Sequence, residues 1–318
     1  MSRIRAESDR KYVLITGATS GVGKAAATAL HEMGHHVVLV GRDPVRTQSL
    51  ADQLSARGAE ADYLIADLSS QEDIRAIAAT YLERYDRLDV LINNAGALFP
   101  TRSVTPDGYE RTWALNHLGY FLLTRLLLPL MTASAPARIV NVGSDAHQAG
   151  RIHWDDLQLE RGWNSFGWRA YAQSKLGNLL FTFELARRLD GTGVTANVVH
   201  PGFVRSGLAT RHSPVARWIL WLTRPLQRSP EKGADTVVWL ATAREVEGIT
   251  GEYWSDRSQR TSSHDARSEQ QAKRLWTISK AQAAIQRLTP GQRLVDQPTL
   301  VPLDVVRAPD EAKNPSTG

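Results

Sequence analysis

Tyr12-Val13-Leu14-Ile15-Thr16-Gly17-Ala18-Thr19-Ser20-Gly21-Val22-Gly23-Lys24-Ala25 is the stretch that decides the fold. Its first five residues are apolar or β-branched and read as a buried strand. Glycines at 17, 21 and 23 then let the backbone turn tightly and approach a ligand closely. A helix beginning near Val22 aims its free N–H groups and the positive end of its dipole at that ligand. A pyrophosphate fits there, in the turn that runs from Thr16 to Gly23. The spacing is G-x-x-x-G-x-G, so neither the G-x-G-x-x-G fingerprint nor the G-x-x-x-x-G-K-[ST] register of a nucleotide-triphosphate loop is present.

The rest of the first 200 residues repeats this strand–helix unit. Further strands read at His36–Val40, Asp62–Ile65, Asp89–Ile92, Arg138–Val142 and Val194–Val199. Amphipathic helical stretches read at Val22–Met33, Pro44–Ala56, Gln71–Tyr85, Asp107–Met131 and Arg169–Leu189. Such alternation predicts an α/β fold: a single-domain Rossmann-type doubly wound parallel sheet with helices on both faces. Ligands of such a sheet bind at the carboxyl ends of its strands.

The second strand is followed by Gly41-Arg42-Asp43. An acidic residue at its end would favour the ribose 2′-OH of NAD. Arg42 instead offers a guanidinium to a 2′-phosphate, which predicts NADP(H). Asp43 reads as the cap of the helix starting at Pro44.

Tyr171 and Lys175 lie four residues apart, on one face of a helix. A phenol titrates near pH 10, about 1.4 kcal/mol per unit away from use as a base, and a neighbouring ammonium lowers it. Ser144 follows the fifth strand, where a hydroxyl can hold a substrate oxygen. Asn116 is a polar group in an otherwise apolar helix. Taken singly, each has a bland structural role; together, in this order after the glycine turn, they form an acid/base constellation.

This set resembles the short-chain dehydrogenase/reductase family. The resemblance rests on the turn at 16–23, Asn93-Asn94-Ala95-Gly96, Asn116, Ser144, Tyr171/Lys175 and Pro201-Gly202, and runs from about Lys11 to Ile285. Asn116-His117-Leu118-Gly119, Gln173-Ser174-Lys175-Leu176-Gly177-Asn178 and His200-Pro201-Gly202 are similar to its retinol-dehydrogenase-like branch. The resemblance implies that Tyr171 is the general acid/base and that Lys175 also holds the nicotinamide ribose. It implies Ser144 on the substrate oxygen and Asn116 in a water-linked proton path. Asp67 and Leu68 would meet the adenine, Asn94 and Ala95 beside Gly96 the adenosine ribose, and Pro201, Gly202 and Val204 the nicotinamide. Gly143, Gly177 and Val22 depart from the branch's usual Ser, Ala and Ile, and none removes a reactive group.

Composition narrows the alternatives. The 318 residues carry 38 Lys+Arg, 33 Asp+Glu and no Cys, which excludes disulfides, thiolate metal sites and thiol catalysis. The missing Cys also argues against a light-driven protochlorophyllide reductase, a likeness that would imply a cysteine acid. Acidic and basic residues are interspersed, so the net charge of +5 predicts no nucleic-acid partner. The nine His show no metal spacing, and no metal is expected. No G-x-S-x-G occurs, so a serine hydrolase is excluded. The polar start predicts no leader and a cytoplasmic protein. The run Leu118–Leu130 reads as too short and too interrupted to span a bilayer.

Residues 1–10 read as a polar arm, 11–285 as the catalytic domain and 286–318 as a Pro-rich tail. The run Trp218-Ile219-Leu220-Trp221-Leu222 falls in a region, about 203–230, that the resemblance implies is a substrate lid, and predicts a lipophilic carbonyl or alcohol substrate held by Ser144, Tyr171, Trp218 and Trp221. A peripheral membrane contact through the same run and a homodimer are the further partners this reading allows. The competing function is a non-catalytic NADP(H)-binding sensor or scaffold on the same fold.

Overall fold

Alternation along each strand builds two cores, one on either face of a single sheet. In the computed structural model, which describes residues 10–163, 165–204 and 227–284, Val13 and Ile15 of β1 (Tyr12–Thr16) face one side. Leu14 faces the other. In β2 (His36–Gly41), Val37 and Leu39 join the first core, Val38 and Val40 the second. A strand buried on both faces needs this unbroken apolar run.

The remaining strands are β3 (Ala61–Ile65), β4 (Val90–Asn93), β5 (Ala137–Val142), β6 (Val194–Val199), β7 (Tyr253–Ser255) and β8 (Ser258–Gln259). Their order is β3-β2-β1-β4-β5-β6-β7-β8, parallel up to β7, with β8 antiparallel at the edge. The order reverses between β1 and β4, and this switch point opens the crevice where the site forms.

The helices are α1 (Gly21–Glu32), α2 (Pro44–Ser55), α3 (Gln71–Arg84), α4 (Arg111–Ala133), α5 (Trp168–Arg188), α6 (Pro230–Thr242) and α7 (Glu269–Ala284). Asp43 caps α2 as expected, its carboxylate accepting the Arg46 N–H at 3.1 Å. The start of α4 differs from the expected Asp107. Asp107 accepts the Gln71 N–H at 2.9 Å, bracing α3 instead, and Glu110 caps α4 by accepting the Thr112 and Trp113 N–H groups.

At 23 residues α4 is also longer than the apolar run read from sequence, and has the length and composition of a membrane span. However, 78% of its apolar stretch is buried within the fold, so that character is explained by core packing. Residues Ala114–Leu118 wind as a π-turn within it.

Helix α7, not expected as a defined element, lies across α4 and α5. Trp276 packs against Phe121 and Phe181, ring centres 5.1 and 6.0 Å away, with the Arg188 guanidinium 4.5 Å over it. The Gln282 carboxamide accepts the indole N–H of Trp113 at 3.1 Å. Removing the buried indole leaves a cavity, so Trp276→Ala is expected to destabilise the fold by about 3 kcal/mol. Thermal unfolding checks this; an unchanged midpoint would show that α7 adds nothing to the core.

Candidate functional site

The glycine turn is built as its spacing requires. Gly17 and Gly21 have φ of +66° and +54°, where side chains are strained. Gly23 is required by closeness: a Cβ there would lie 2.4 Å from both the Asn94 amide nitrogen and the Gly17 carbonyl. No side chain caps the start of α1, and no acidic residue occupies its first turn. The positive end of that helix is left for an anion, so the turn fits a pyrophosphate.

Asn94 ties the turn to the end of β4. Its amide donates to the Thr16 carbonyl at 2.8 Å and the Gly17 carbonyl at 3.3 Å. The Thr16 hydroxyl accepts the N–H groups of Asn94 and Ala95 at 2.9 and 3.1 Å.

Arg42 stands at the end of β2 with half its side chain exposed, 3.9 Å from the Asp67 carboxylate. At that distance the exposed pair contributes little, so the guanidinium can turn to a phosphate. Arg111 reaches the same carboxylate at 3.7 Å. Asp67 spends its other oxygen on the Ser69 N–H and hydroxyl. Arg46, which the sequence reading missed, reaches the Thr19 carbonyl at 3.5 Å and places a second guanidinium beside the turn. Leu68 is buried, its carbonyl against Gly119.

The acid/base residues converge beyond β4 and β5. Asn116 lies in the π-turn of α4, a distortion that often marks functional positions. Its side chain accepts the Ala97 N–H at 2.9 Å and donates to the Ala97 carbonyl and the Ser174 hydroxyl, both at 3.0 Å. Gly96 keeps the backbone close to both Asn116 and Lys175: a Cβ there would be 3.3 Å from the Asn116 oxygen and 3.6 Å from the Lys175 ammonium.

The Ser144 oxygen accepts the Ala146 N–H at 3.2 Å, and its hydroxyl is near enough to Tyr171 to favour the phenolate. The Lys175 ammonium donates to the Val142 carbonyl at 2.9 Å and stands 5.6 Å from the Tyr171 ring centre.

Burial dominates the electrostatics of the pair. Burial pushes Tyr171 above its ordinary value, and the Ser144 hydroxyl offsets only part of that. Lys175 is itself buried, which lowers its ammonium to about 8. The desolvation cost falls on both charged forms, leaving a protonated phenol at neutral pH.

Pro201 and Gly202 follow β6, with Gly202 at φ +82° against the Arg228 side chain. Val204 bridges Arg228 and reaches toward Gly233 and α6. Trp218 and Trp221 lie outside the described residues, as do most of the expected lid, residues 1–9 of the arm and the tail. Trp154 is half-buried and packs against the core, under the Arg274 guanidinium at 4.3 Å. Trp168, missed in the sequence, is 46% exposed with its ring 5.9 Å from that of Tyr171. Phe166 and Phe203 are also exposed. Among the described residues, no group of His, Asp or Glu side chains could hold a metal.

A short chain dehydrogenase family model matches residues 11–156. The chain is 44% identical to human (Homo sapiens) retinol dehydrogenase 11 over 271 residues, 85% of this chain and 84% of that protein. It is 42% identical to mouse (Mus musculus) retinol dehydrogenase 14 over 297 residues, 86% of each. Among solved structures it resembles an uncharacterized protein from Mycobacterium paratuberculosis, with a TM-score of 0.69, 31% identity and coverage of 87% and 96%. The Pseudomonas aeruginosa RhlG/NADP active-site complex gives a TM-score of 0.62 at 31% identity, covering 76% of this chain and 93% of that one.

The Lys175 shift has a measurable sign. Its folded value of about 8 lies below the ordinary 10.5. The penalty of the buried ammonium is therefore full below pH 8 and vanishes as pH rises to 10.5. Stability should rise by about 3 kcal/mol across that window relative to Lys175→Met. Urea unfolding at both pH values checks this; parallel curves for the two proteins would contradict it.

Proposed function

The chain belongs to the short-chain dehydrogenase/reductase family, in its retinol-dehydrogenase-like branch, and on that premise we propose an NADP(H)-dependent oxidoreductase acting on a lipophilic alcohol, aldehyde or ketone, with Tyr171 as general acid/base. Membership makes it a nicotinamide-dependent oxidoreductase. The observation that carries the finer reading is the half-buried Ser144 hydroxyl acting on the buried Tyr171 phenol, with buried Lys175 behind it, beside the glycine turn.

The nicotinamide, when bound, supplies the hydride. Gly17, Ser20, Gly21 and Val22 hold the pyrophosphate at the start of α1. Arg42, with Arg46 nearby, receives the 2′-phosphate. Asp67 and Leu68 border the adenine, Asn94 and Ala95 the ribose, and Pro201, Gly202 and Val204 the nicotinamide. A substrate oxygen is held between the Ser144 and Tyr171 hydroxyls. The raised phenol is in its acid form at neutral pH, which suits donation of a proton to a carbonyl and hence reduction. Lys175 holds the ribose, and Asn116 orders the proton path behind it. The apolar substrate is supported by the exposed Trp168, Phe166 and Phe203 at this end of the sheet. The same aromatics support a peripheral membrane contact.

NADPH oxidation over lipophilic aldehydes and ketones tests the reading. Tyr171→Phe is expected to lower kcat at least about a hundredfold with the fold intact. Turnover that survives this change would remove Tyr171 from the chemistry; tight NADPH binding with no wild-type turnover would favour the sensor. Arg42→Ala should lower NADPH affinity about tenfold and leave NADH unaffected. Equal loss for both would show that Arg42 does not read the 2′-phosphate.

A further inference from the structure

The Ser144 loop is held by histidines on two sides. The Ser144 carbonyl accepts the Nδ1–H of His147 at 2.7 Å, and His147 Nε2 accepts the Ser263 N–H at 3.2 Å. Those two partners place the single ring proton on Nδ1. On the other side the Asp145 N–H donates to His200 Nδ1 at 3.3 Å, and the Asp145 carboxylate takes His200 Nε2 at 3.2 Å. Tyr253 closes the circuit. Its hydroxyl donates to Asp145 at 2.5 Å, and its ring meets His147 edge-on, centres 5.0 Å apart. His200 directly precedes Pro201-Gly202, so the circuit joins the serine loop to the nicotinamide side.

We propose that His147 is a positioning residue: its neutral Nδ1–H form holds the Ser144 backbone so that the hydroxyl meets Tyr171. This rests on the role given to Ser144 above. A second proton would set Nε2–H against the Ser263 N–H, donor against donor, and loosen the loop. The charged or titratable groups around the ring are Asp145 and His200, with Tyr253 from β7; Arg228 and Asp256 face His200. Burial outweighs Asp145 and keeps both rings below the ordinary 6.5, so the neutral form is the resting one at pH 7.

Two variants separate positioning from packing. His147→Leu keeps an apolar side chain and loses the donor; His147→Asn puts an N–H near the Nδ1 position and cannot take a second proton. His147→Leu is expected to lower kcat about thirtyfold with KM for NADPH nearly unchanged. His147→Asn is expected to restore most of kcat and to lose the acid limb expected of wild type below pH 6.5. Equal kcat in the two variants, or an unchanged acid limb in His147→Asn, would overturn the proposal.

Hydrogen exchange of residues 144–150, corrected for intrinsic pH dependence, needs no turnover. Protection should fall on acidification in wild type and stay constant in His147→Asn. Protection insensitive to pH in both would overturn the proposal even if the enzyme is active. Absent wild-type turnover with pH-sensitive protection would instead count against the catalytic reading.

Discussion

The Asn94 amide donates to the Thr16 and Gly17 carbonyls, while the Thr16 hydroxyl accepts two backbone N–H groups from Asn94 and Ala95. This reciprocal clamp crosses the switch point of the sheet, joining the ends of β1 and β4. It needs Gly23, because any Cβ there would occupy the space of the amide. On one side it shapes the turn that offers the start of α1 to an anion. On the other it sets the course of Asn94–Ala97, whose backbone passes Lys175 and is gripped by Asn116. The anion-binding half and the proton-transfer half of the site are therefore joined in one hydrogen-bonded unit.

One member of that unit, the Lys175 ammonium, is costly to stability at neutral pH. Lys175 and Tyr171 are buried where their charged forms are penalised, and burial shifts both groups against charge. Such groups persist where chemistry needs them, since perturbed titration and function share a cause. The cores on both faces, and the aromatic seam that α7 lays over α4 and α5, offset the penalty. His117, next to Asn116, shows the same economy: burial brings it to about 3, and as a neutral ring it reaches the Ser279 hydroxyl on α7 at 2.8 Å.

Much of this was legible in the sequence because it depends on local pattern. β1 and β6 were placed to the residue, and Asp43 could be read as a cap, because strand composition and capping are short-range. Glu110 was not read as the cap of α4, since Asp107 competes by composition and only the structure shows it spent on α3. β7 and β8 are too short to give a period, and α7 owes its place to distant partners such as Trp113 and Phe181. The candidate site residues could be proposed from spacing together with a family resemblance, but their electrostatics could not. Spacing sets Tyr171 beside Lys175; it says nothing of the burial that raises the phenol. Trp168 was missed because it stands just before the expected helix start, with no periodic signal.

The central claim is that a Cβ-free approach at Gly23 binds the halves together around the nicotinamide cofactor. Titration of NADPH into wild type and Gly23→Ala, with circular dichroism to follow the fold, tests it most directly. The account predicts an affinity loss of at least about tenfold in the variant while the sheet and helices are retained. Undiminished NADPH affinity in Gly23→Ala would contradict it.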